Sequence, residues 1–192
     1  MVYFNQLNYR HIPYNHNVAN GGVPEDRRNV ATSGCGLCAM CMIVSHLTDR
    51  ELSVADCVKL SEENGANKGL GTDLRVLGPV IAEMFGLTYR ETSDTQALLR
   101  HLENGGEAVE ILIGDHDGKN GLFSHRRHYI TLISVVGEEV QILDPSYKPG
   151  KFSEEGRPGR VREDYPFLYC KPEELEEEGD KAVPLYYLFG GK

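Results

Sequence analysis

The sequence has no long apolar run. No stretch approaches the ~18 consecutive apolar residues that predict a membrane-spanning helix, so we expect no membrane span. The first residues, MVYFNQLNYRH, also lack the basic start and apolar core of a secretory signal. This absence predicts a cytoplasmic protein for the chain as given, or a secreted one if an export signal was trimmed.

Positive charge is also scarce. The chain has 20 lysines and arginines against 29 aspartates and glutamates, which gives a net charge of -9. Because Lys and Arg supply most of the affinity for phosphate backbones, this balance disfavours a nucleic-acid partner. The most acidic stretch, PEELEEEGD at residues 172–180, is interpreted as a solvated face. The loop GANKGLGTD lacks the Gly-Lys-Ser/Thr ending of a phosphate-binding P-loop, which disfavours a nucleotide-binding enzyme.

A disulfide framework is not indicated either. The 5 cysteines leave at least one unpaired in a monomer, and three of them stand close together in TSGCGLCAMCMIV, residues 32–44. Small secreted domains instead disperse an even number of cysteines along the chain. We therefore expect free thiols.

Length and composition favour one domain. A chain of 192 residues is long enough to bury roughly 70% of its unfolded surface on folding, and its hydrophobic content of 40% is ordinary for a globular protein. We predict a single domain over residues 1–192, made of a loop-rich arm (1–33), a mainly helical half (34–104) and a mainly β half (107–192).

Periodicity and end signals locate the elements of the two halves. Helices are predicted at 35–47, after a capping box of Ser53 and Asp56, in a stretch that Pro79 interrupts or kinks before Gly86, and after Ser93 and Gln96. Strands are predicted at AVEILIG and in a hairpin of residues 129–136 and 140–143, with a loop and a final strand in the last forty residues. This order of helices first and strands second predicts an α+β domain in which helices pack on an antiparallel sheet.

The three clustered cysteines could be metal ligands. Their C-x2-C-x2-C spacing resembles the opening of an iron–sulfur ligand run, but Val44 stands where the fourth cysteine belongs. If the segment is helical, Cys35 and Cys41 are ~9 Å apart along the axis, whereas two sulfurs on one zinc are at most ~4.6 Å apart. Helical geometry therefore disfavours a metal site, although Cys57 or Cys170 could supply a distant ligand.

A nucleophilic cysteine is the alternative. A helix N-terminus lowers a cysteine pKa from about 8.5 to roughly 3.5–7.5, and the thiolate is the reactive species. Only Cys35 lies at the expected helix start, whereas Cys38 and Cys41 lie deeper among apolar residues and are predicted to belong to the core. Gly34 and Gly36 would let a substrate carbonyl or a facing strand approach the Cys35 thiol.

A base for this nucleophile is best supplied by His128. It directly precedes the apolar strand YITLISVV, and Asp144 ends the returning strand, where it could set the imidazole tautomer. His46 would lie ~16 Å from Cys35 along the helix, and the remaining histidines fall in loops or on a polar helix: His11, His16, His101, His116 and His125.

The register of the hairpin decides whether His128 and Asp144 meet. A loop of residues 136–138 places both side chains on one face, and a two-residue loop places them on opposite faces. Their partnership therefore predicts an odd-numbered or bulged turn near Gly137.

Three motifs together resemble a known family. SGCG before a buried helix, RHYITLISV at the start of a hairpin, and ILDPS at its end resemble the papain-like cysteine peptidases of the bacteriocin-processing, double-glycine leader peptidase type, in a stand-alone bacterial form. The resemblance extends from YFNQLNY to about Ser146 and includes LLRHLENGGEAVEILIG.

The resemblance implies the papain-like fold, with the nucleophile at a helix start and the histidine and aspartate on an antiparallel sheet. It also implies site roles: Cys35 as nucleophile, His128 as general base and acid, Asp144 as the residue that orients it, and Gln6 as an oxyanion donor beside the Cys35 amide. The chain departs from the family at Leu37, Cys38 and Ala39, where proline and small hydroxyl residues are usual, and at Arg127, where glycine is usual.

The function predicted on these grounds is hydrolysis of a peptide or amide bond through a thioester, without a cofactor and with a peptide or protein as substrate. The same groups could pass the acyl group to an amine, which would make the chain an acyl transferase. The alternatives are an inactive papain-fold module that binds peptides and a Cys-ligated metal or iron–sulfur protein. A calcium loop at Asp115, Asp117 and Asn120 is only faintly indicated.

Overall fold

The computed structural model describes residues 1–14, 24–69 and 71–191. Its α-helices are α1 (Val30–Ser33), α2 (Cys35–Leu47), α3 (Val54–Glu63), α4 (Leu74–Phe85), α5 (Thr95–Glu103) and α6 (Pro172–Glu178). Its strands are β1 (Asn67–Lys68), β2 (Gly71–Thr72), β3 (Leu87–Thr92), β4 (Glu107–Leu112), β5 (His128–Val136), β6 (Glu139–Leu143), β7 (Arg162–Asp164), β8 (Phe167–Cys170) and β9 (Tyr186–Gly191). Short 3-10 helices span Gln6–Tyr9, Glu25–Arg27 and Lys151–Ser153.

Seven strands form one antiparallel sheet in the order β3-β9-β4-β5-β6-β8-β7. The final strand was predicted, and it lies inside the sheet between β3 and β4. The last forty residues contain more than the predicted loop and strand, because β7, β8 and α6 precede the final strand.

Helices cover both faces of this sheet. Along β4, Val109 and Ile111 belong to the apolar cluster that contains α2, α3 and α4, whereas Ala108 and Leu112 belong to the cluster that contains α5. This alternation is that of a strand buried on both sides. The predicted α+β class, with helices packed on an antiparallel sheet, is confirmed.

The predicted end signals of α3 and α4 are present. Ser53 Oγ accepts the Asp56 N–H at 3.0 Å at the start of α3. Gly86 ends α4 in the left-handed conformation, with a φ of 72° that favours glycine. Pro79 does not interrupt α4, which continues through it.

The start of α5 was placed wrongly at Ser93. Asp94 is the cap, because its carboxylate accepts the N–H groups of Gln96 and Ala97. Ser93 Oγ instead accepts the Leu185 N–H at 3.3 Å and so ties this corner to the residue before β9.

The N-terminal arm is held to the core at several points. Tyr3 Oη donates to the Asp144 carbonyl at 2.6 Å, and the Gln6 N–H donates to the Pro145 carbonyl at 2.7 Å. His46 Nε2 lies 2.6 Å from the Val2 carbonyl oxygen, while its Nδ1 faces Glu107. The arm therefore reaches both α2 and the end of β6. His16 lies outside the described residues.

The acidic stretch at 172–180 is not simply a solvated face, which corrects the sequence interpretation. Pro172 begins α6, a position that suits its missing N–H. Leu175 is fully buried and Glu178 nearly so. Arg160 pairs with Glu178 and two further glutamates of α6. The helix thus closes over the sheet with a charged outer side.

No helix among the described residues is both long and apolar enough to cross a membrane.

Candidate active site

Cys35 lies at the first position of α2, as predicted. It is partly exposed, whereas the other cysteines are buried: Cys38, Cys41, Cys57 and Cys170. Burial raises the pKa values of the Cys38 and Cys41 thiols well above the ordinary range. Cys35 is therefore the cysteine whose position and exposure suit a nucleophile.

The two glycines beside Cys35 fit close approaches within the protein. A Cβ on Gly36 would lie 3.1 Å from the Tyr129 ring on β5 and 3.2 Å from Thr72 on β2. A Cβ on Gly34 would lie 2.3 Å from a methyl group of Val30 in α1. Both contacts fix the N-terminal turn of α2 against its neighbours.

Gly34→Ala is accordingly expected to destabilise the fold by roughly 1–3 kcal/mol, because the new methyl overlaps buried Val30 and overpacking costs about this much. Urea unfolding measures the change. Gly71→Ala is the matched control, since a Cβ there meets nothing within 4 Å. Equal midpoints for the two variants would contradict the tight contact at Gly34.

The helical geometry of residues 35–41 bears on metal binding. Because all three clustered cysteines lie within α2, Cys35 and Cys41 are displaced by ~9 Å along its axis. One zinc ion cannot span that displacement with bonds near 2.3 Å. Across the three described ranges, no three His, Cys, Asp or Glu side chains are grouped so that they could hold a metal ion.

His128 and Asp144 meet at the end of the β5–β6 hairpin. His128 Nε2 lies 2.7 Å from Asp144 Oδ1, and both side chains are buried. Thr131 pairs with Leu143, so residue 130 lies opposite Asp144. His128 lies two residues before residue 130 on the same strand and therefore shares the face of Asp144.

The expected bulge lies elsewhere than predicted. Val136 pairs with Glu139, which makes the turn at Gly137 a regular two-residue turn and corrects the expectation of an odd or bulged one. The extra residue is Ile133, where the register shifts between Leu132 and Ser134. A bulge inserts one residue into one strand and reverses the facing of everything beyond it. The same shared face thus arises from a bulge within β5.

The electrostatics couple Cys35 to His128. Burial by itself would lower the pKa of His128, but the charge and hydrogen bond of Asp144, together with Cys35, raise it to about 9. Burial by itself would raise the pKa of the Cys35 thiol, but the hydrogen bond and charge of His128 hold it below its usual value. Because His128 Nε2 is hydrogen-bonded to Asp144, the ring has its other nitrogen, Nδ1, available for the Cys35 thiol. The pair favours thiolate and imidazolium.

Two residues of the site were missed by sequence reasoning, namely Ser146 and Lys151. The Ser146 N–H donates to Asp144 Oδ1 at 2.8 Å, and its Oγ lies 3.1 Å from His128 Nε2. Lys151 Nζ lies 2.5 Å from Asp144 Oδ2. Burial opposes ionisation of Asp144, but Lys151 and His128 hold its pKa far below the usual range. Ser146 stood in the ILDPS motif, whereas nothing in the sequence pattern marked Lys151.

Gln6 is buried near both halves of the site. Its Nε2 donates to the carbonyl of Ala31, in α1 just before Cys35, at 2.9 Å, and its backbone N–H donates to the carbonyl of Pro145, the residue after Asp144. An amide group carries two N–H donors, so one remains for another acceptor. Oε1 is buried and finds no hydrogen-bond partner among the described residues.

The residues at which the chain departs from the pattern of the resembled family have contacts of their own. Leu37, Cys38 and Ala39 are fully buried in the core. Arg127, beside His128, extends to Asp180 with a 2.6 Å ion pair. At these positions the side chains thus contribute core packing and an ion pair.

The other histidines have their own partners or lie in exposed segments. His46 is engaged by Glu107 and the arm, and His101 Nε2 lies 2.8 Å from the Phe189 carbonyl. His125 bridges Asp115 and Glu154 on the surface, in the segment where a calcium loop was faintly indicated. None of these contacts involves Cys35.

Comparisons with known proteins agree with this geometry at the level of fold. No protein-family model and no curated protein matches the chain. Among solved structures, it is similar to the peptidase domain of Streptococcus ComA, a bifunctional ABC transporter involved in a quorum-sensing pathway, with 15% identity over 84% of this chain and 93% of that chain and a TM-score of 0.54. It is also similar to a putative C39-like peptidase from Bacillus anthracis, with 13% identity over 83% of this chain and 90% of that chain and a TM-score of 0.56.

At these identities the likeness concerns the fold. The resemblance to bacteriocin-processing peptidases stated from the sequence motifs is confirmed at this level. The chain has the papain-like fold of C39 peptidase domains.

Proposed function

We propose that the chain is a cysteine peptidase that hydrolyses a peptide or amide bond through a thioester acyl-enzyme. The observation that carries the proposal is the chain of contacts from Cys35 at the start of α2 to His128 on β5 and on to Asp144. A nucleophile, a base and a group that orients the base are the parts that covalent acyl transfer needs.

In the proposed mechanism the Cys35 thiolate attacks the substrate carbonyl carbon, and a C–S bond forms as the carbonyl oxygen becomes an oxyanion. The intermediate collapses, the C–N bond breaks, and the His128 imidazolium gives its proton to the leaving amine. Neutral His128 then takes a proton from water, which attacks the thioester and releases the acid and the Cys35 thiolate. Each step uses a group of this chain and water.

Gln6 is proposed to stabilise the oxyanion with the N–H that Ala31 does not use, together with the Cys35 amide at the helix start. A donor of this kind contributes about 3–4 kcal/mol to the transition state. The Ala31 contact and the buried environment of Gln6 would hold that donor in place before substrate binds.

The pKa directions predict a bell-shaped pH dependence. Activity should rise as the Cys35 thiol ionises below its usual pKa, and fall as His128 loses its proton near pH 9. The active form is the one in which the thiolate and the imidazolium coexist.

Thiol reactivity tests the proposal without knowledge of the substrate. The purified, reduced protein is titrated with iodoacetamide from about pH 5 to about pH 10, and each modified cysteine is identified by mass mapping. We expect one fast thiol, Cys35, reactive well below pH 8, and four slow ones. Equal rates for all 5 cysteines of the folded protein would sink the proposal.

The unfolded protein in denaturant is the control, because there all the thiols should react alike. A pool of internally quenched peptides then tests hydrolysis, with Cys35→Ser as the matched variant. Transfer of the acyl group to an added amine in preference to water would identify the transferase instead.

A further inference from the structure

A buried lysine, Lys151, lies directly behind the Asp144 carboxylate. Its side chain is only 5% exposed, and Nζ lies 2.5 Å from Asp144 Oδ2 and 2.7 Å from Ser146 Oγ. Charges are costly to bury alone, and a buried pair is tolerated when good geometry and further hydrogen bonds compensate. Lys151 is therefore part of the charge balance of the site.

The two carboxylate oxygens of Asp144 have different partners. Oδ1 accepts hydrogen bonds from His128 Nε2 and the Ser146 N–H, and Oδ2 accepts one from the Lys151 ammonium. With one oxygen held by Lys151, the carboxylate cannot turn about its bond to Cβ without breaking that contact. Lys151 thus keeps the other oxygen directed at the imidazole.

The backbone that carries Lys151 is itself fixed. Gly150 precedes it with a φ of 78°, a conformation that favours glycine. Arg157, which is 2% exposed, donates to the Lys151 carbonyl at 3.0 Å and to the Gly121 carbonyl at 2.8 Å. Lys151 is therefore not a mobile surface side chain that happens to lie nearby.

We propose that Lys151 is a positioning residue of the site: its ammonium group keeps Asp144 ionised and turned toward His128, and it offsets part of the negative charge that His128 experiences. The inference rests on the proposed function, since Lys151 would act through Asp144 and His128 and not on the substrate.

The sign of the effect follows from the groups around His128. Cys35 faces it from α2, Asp144 faces it from the end of β6 with Lys151 behind, and Tyr3 binds the Asp144 carbonyl from the arm. Asp144 favours the protonated imidazole, and Lys151 opposes it. Loss of a proton from Cys35 or from His128 lowers the local positive charge, so a nearby cation favours both steps. Removing Lys151 should move both limbs of the pH profile to higher pH.

Lys151→Met tests this in the full chain, because methionine is similar in length and carries no charge. We expect the pH profile of Cys35 alkylation, and that of kcat/KM once a peptide substrate is in hand, to shift upward by about one pH unit. Lys151→Arg keeps the charge and should return the profile toward that of the unaltered protein. Lys148→Met removes an exposed charge from the same loop and should leave the profile unchanged.

A uniform loss of rate at every pH, with no shift, would show that Lys151 is merely structural and would overturn the proposal. So would an equal shift in Lys148→Met. If Lys151→Met does not fold, Asp144→Asn is compared with Asp144→Asn/Lys151→Met. The single variant leaves an unpaired cation beside His128, so its profile must lie at lower pH than that of the double variant, and coincident profiles contradict the inference.

The two proposals fail in different ways. If Cys35 of the unaltered protein reacts no faster than a buried thiol, both the proposed function and this inference are contradicted. If Cys35 is fast below pH 8 and Lys151→Met leaves its profile in place, the inference alone fails.

Discussion

His128→Ala is expected to lower kcat/KM for peptide hydrolysis by roughly 10⁴-fold or more, because in the proposed mechanism nucleophile activation and leaving-group protonation both depend on this imidazole. Two other histidines of the described residues are already engaged, His46 by Glu107 and the arm and His101 by the sheet. What survives should be the contribution of substrate binding and the oxyanion donors.

The thiol of Cys35 should change along with the rate. The hydrogen bond and charge of His128 are what hold the pKa of Cys35 down, while burial works in the opposite direction. Without the imidazole, burial prevails, and the alkylation profile of Cys35 should move to or above that of an ordinary thiol near pH 8.5. The measurement pairs steady-state hydrolysis with the mass-mapped alkylation profile.

His116→Ala is the matched control, since His116 lies in the connection before β5 and its ring Nδ1 lies 2.8 Å from the Gly114 carbonyl oxygen. It should retain both the rate and the profile. A His128→Ala protein that folds and cleaves peptide at an undiminished rate would refute the assigned base.

The elements that local sequence specifies were predicted most accurately. α2 was expected over residues 35–47 and spans Cys35–Leu47, because dense apolar residues follow a helix-breaking glycine. Gly86 ends α4 as expected, since the left-handed conformation there favours glycine. At the start of α5 two neighbouring residues, Ser93 and Asp94, both suit a cap. The local pattern predicted Ser93, but Asp94 caps the helix.

The facing of His128 and Asp144 shows a subtler limit. A contact between His128 and Asp144 requires one extra residue in the hairpin, and the structure has that residue in β5. Its position was not predictable, because a bulge anywhere between His128 and the turn reverses the facing of the residues beyond it. Ile133 carries no glycine or proline signal that would have marked it.

Lys151 lay beyond sequence reasoning for another reason. Its partner Asp144 is seven residues away across a loop, and no helix or strand contains both residues, so no periodic pattern could relate them. The buried side of α6 was not predicted for a similar reason, since Leu175 is a single apolar residue in an acidic run. Contacts made by loops and by a single side chain depend on the packed structure and leave no repeating pattern.

Asp144→Ala should combine a large loss of stability with a loss of activity. It removes one partner of a buried ion pair and leaves the Lys151 ammonium without its carboxylate. Breaking a buried pair in this way costs about 3–5 kcal/mol, and His128 also loses the acceptor that sets its orientation. Urea unfolding at neutral pH measures the first effect and peptide hydrolysis the second.

The double variant Asp144→Asn/Lys151→Met separates the two effects. With neither charge present, nothing ionised is left buried behind His128, so most of the lost stability should return while activity stays low. Stability as low as that of Asp144→Ala would contradict an unpaired lysine as the cause.

Acid provides an independent measurement of the same ion pair. The folded protein holds the pKa of Asp144 below its ordinary value of 3.8, so the carboxylate contributes stability that is fully present above that pH and is lost as the pH falls below it. The unaltered protein should therefore lose more stability between neutral pH and about pH 3 than the double variant does. Parallel acid curves for the two proteins would mean that Asp144 titrates normally in the fold, and the ion pair would then contribute little to its ionisation.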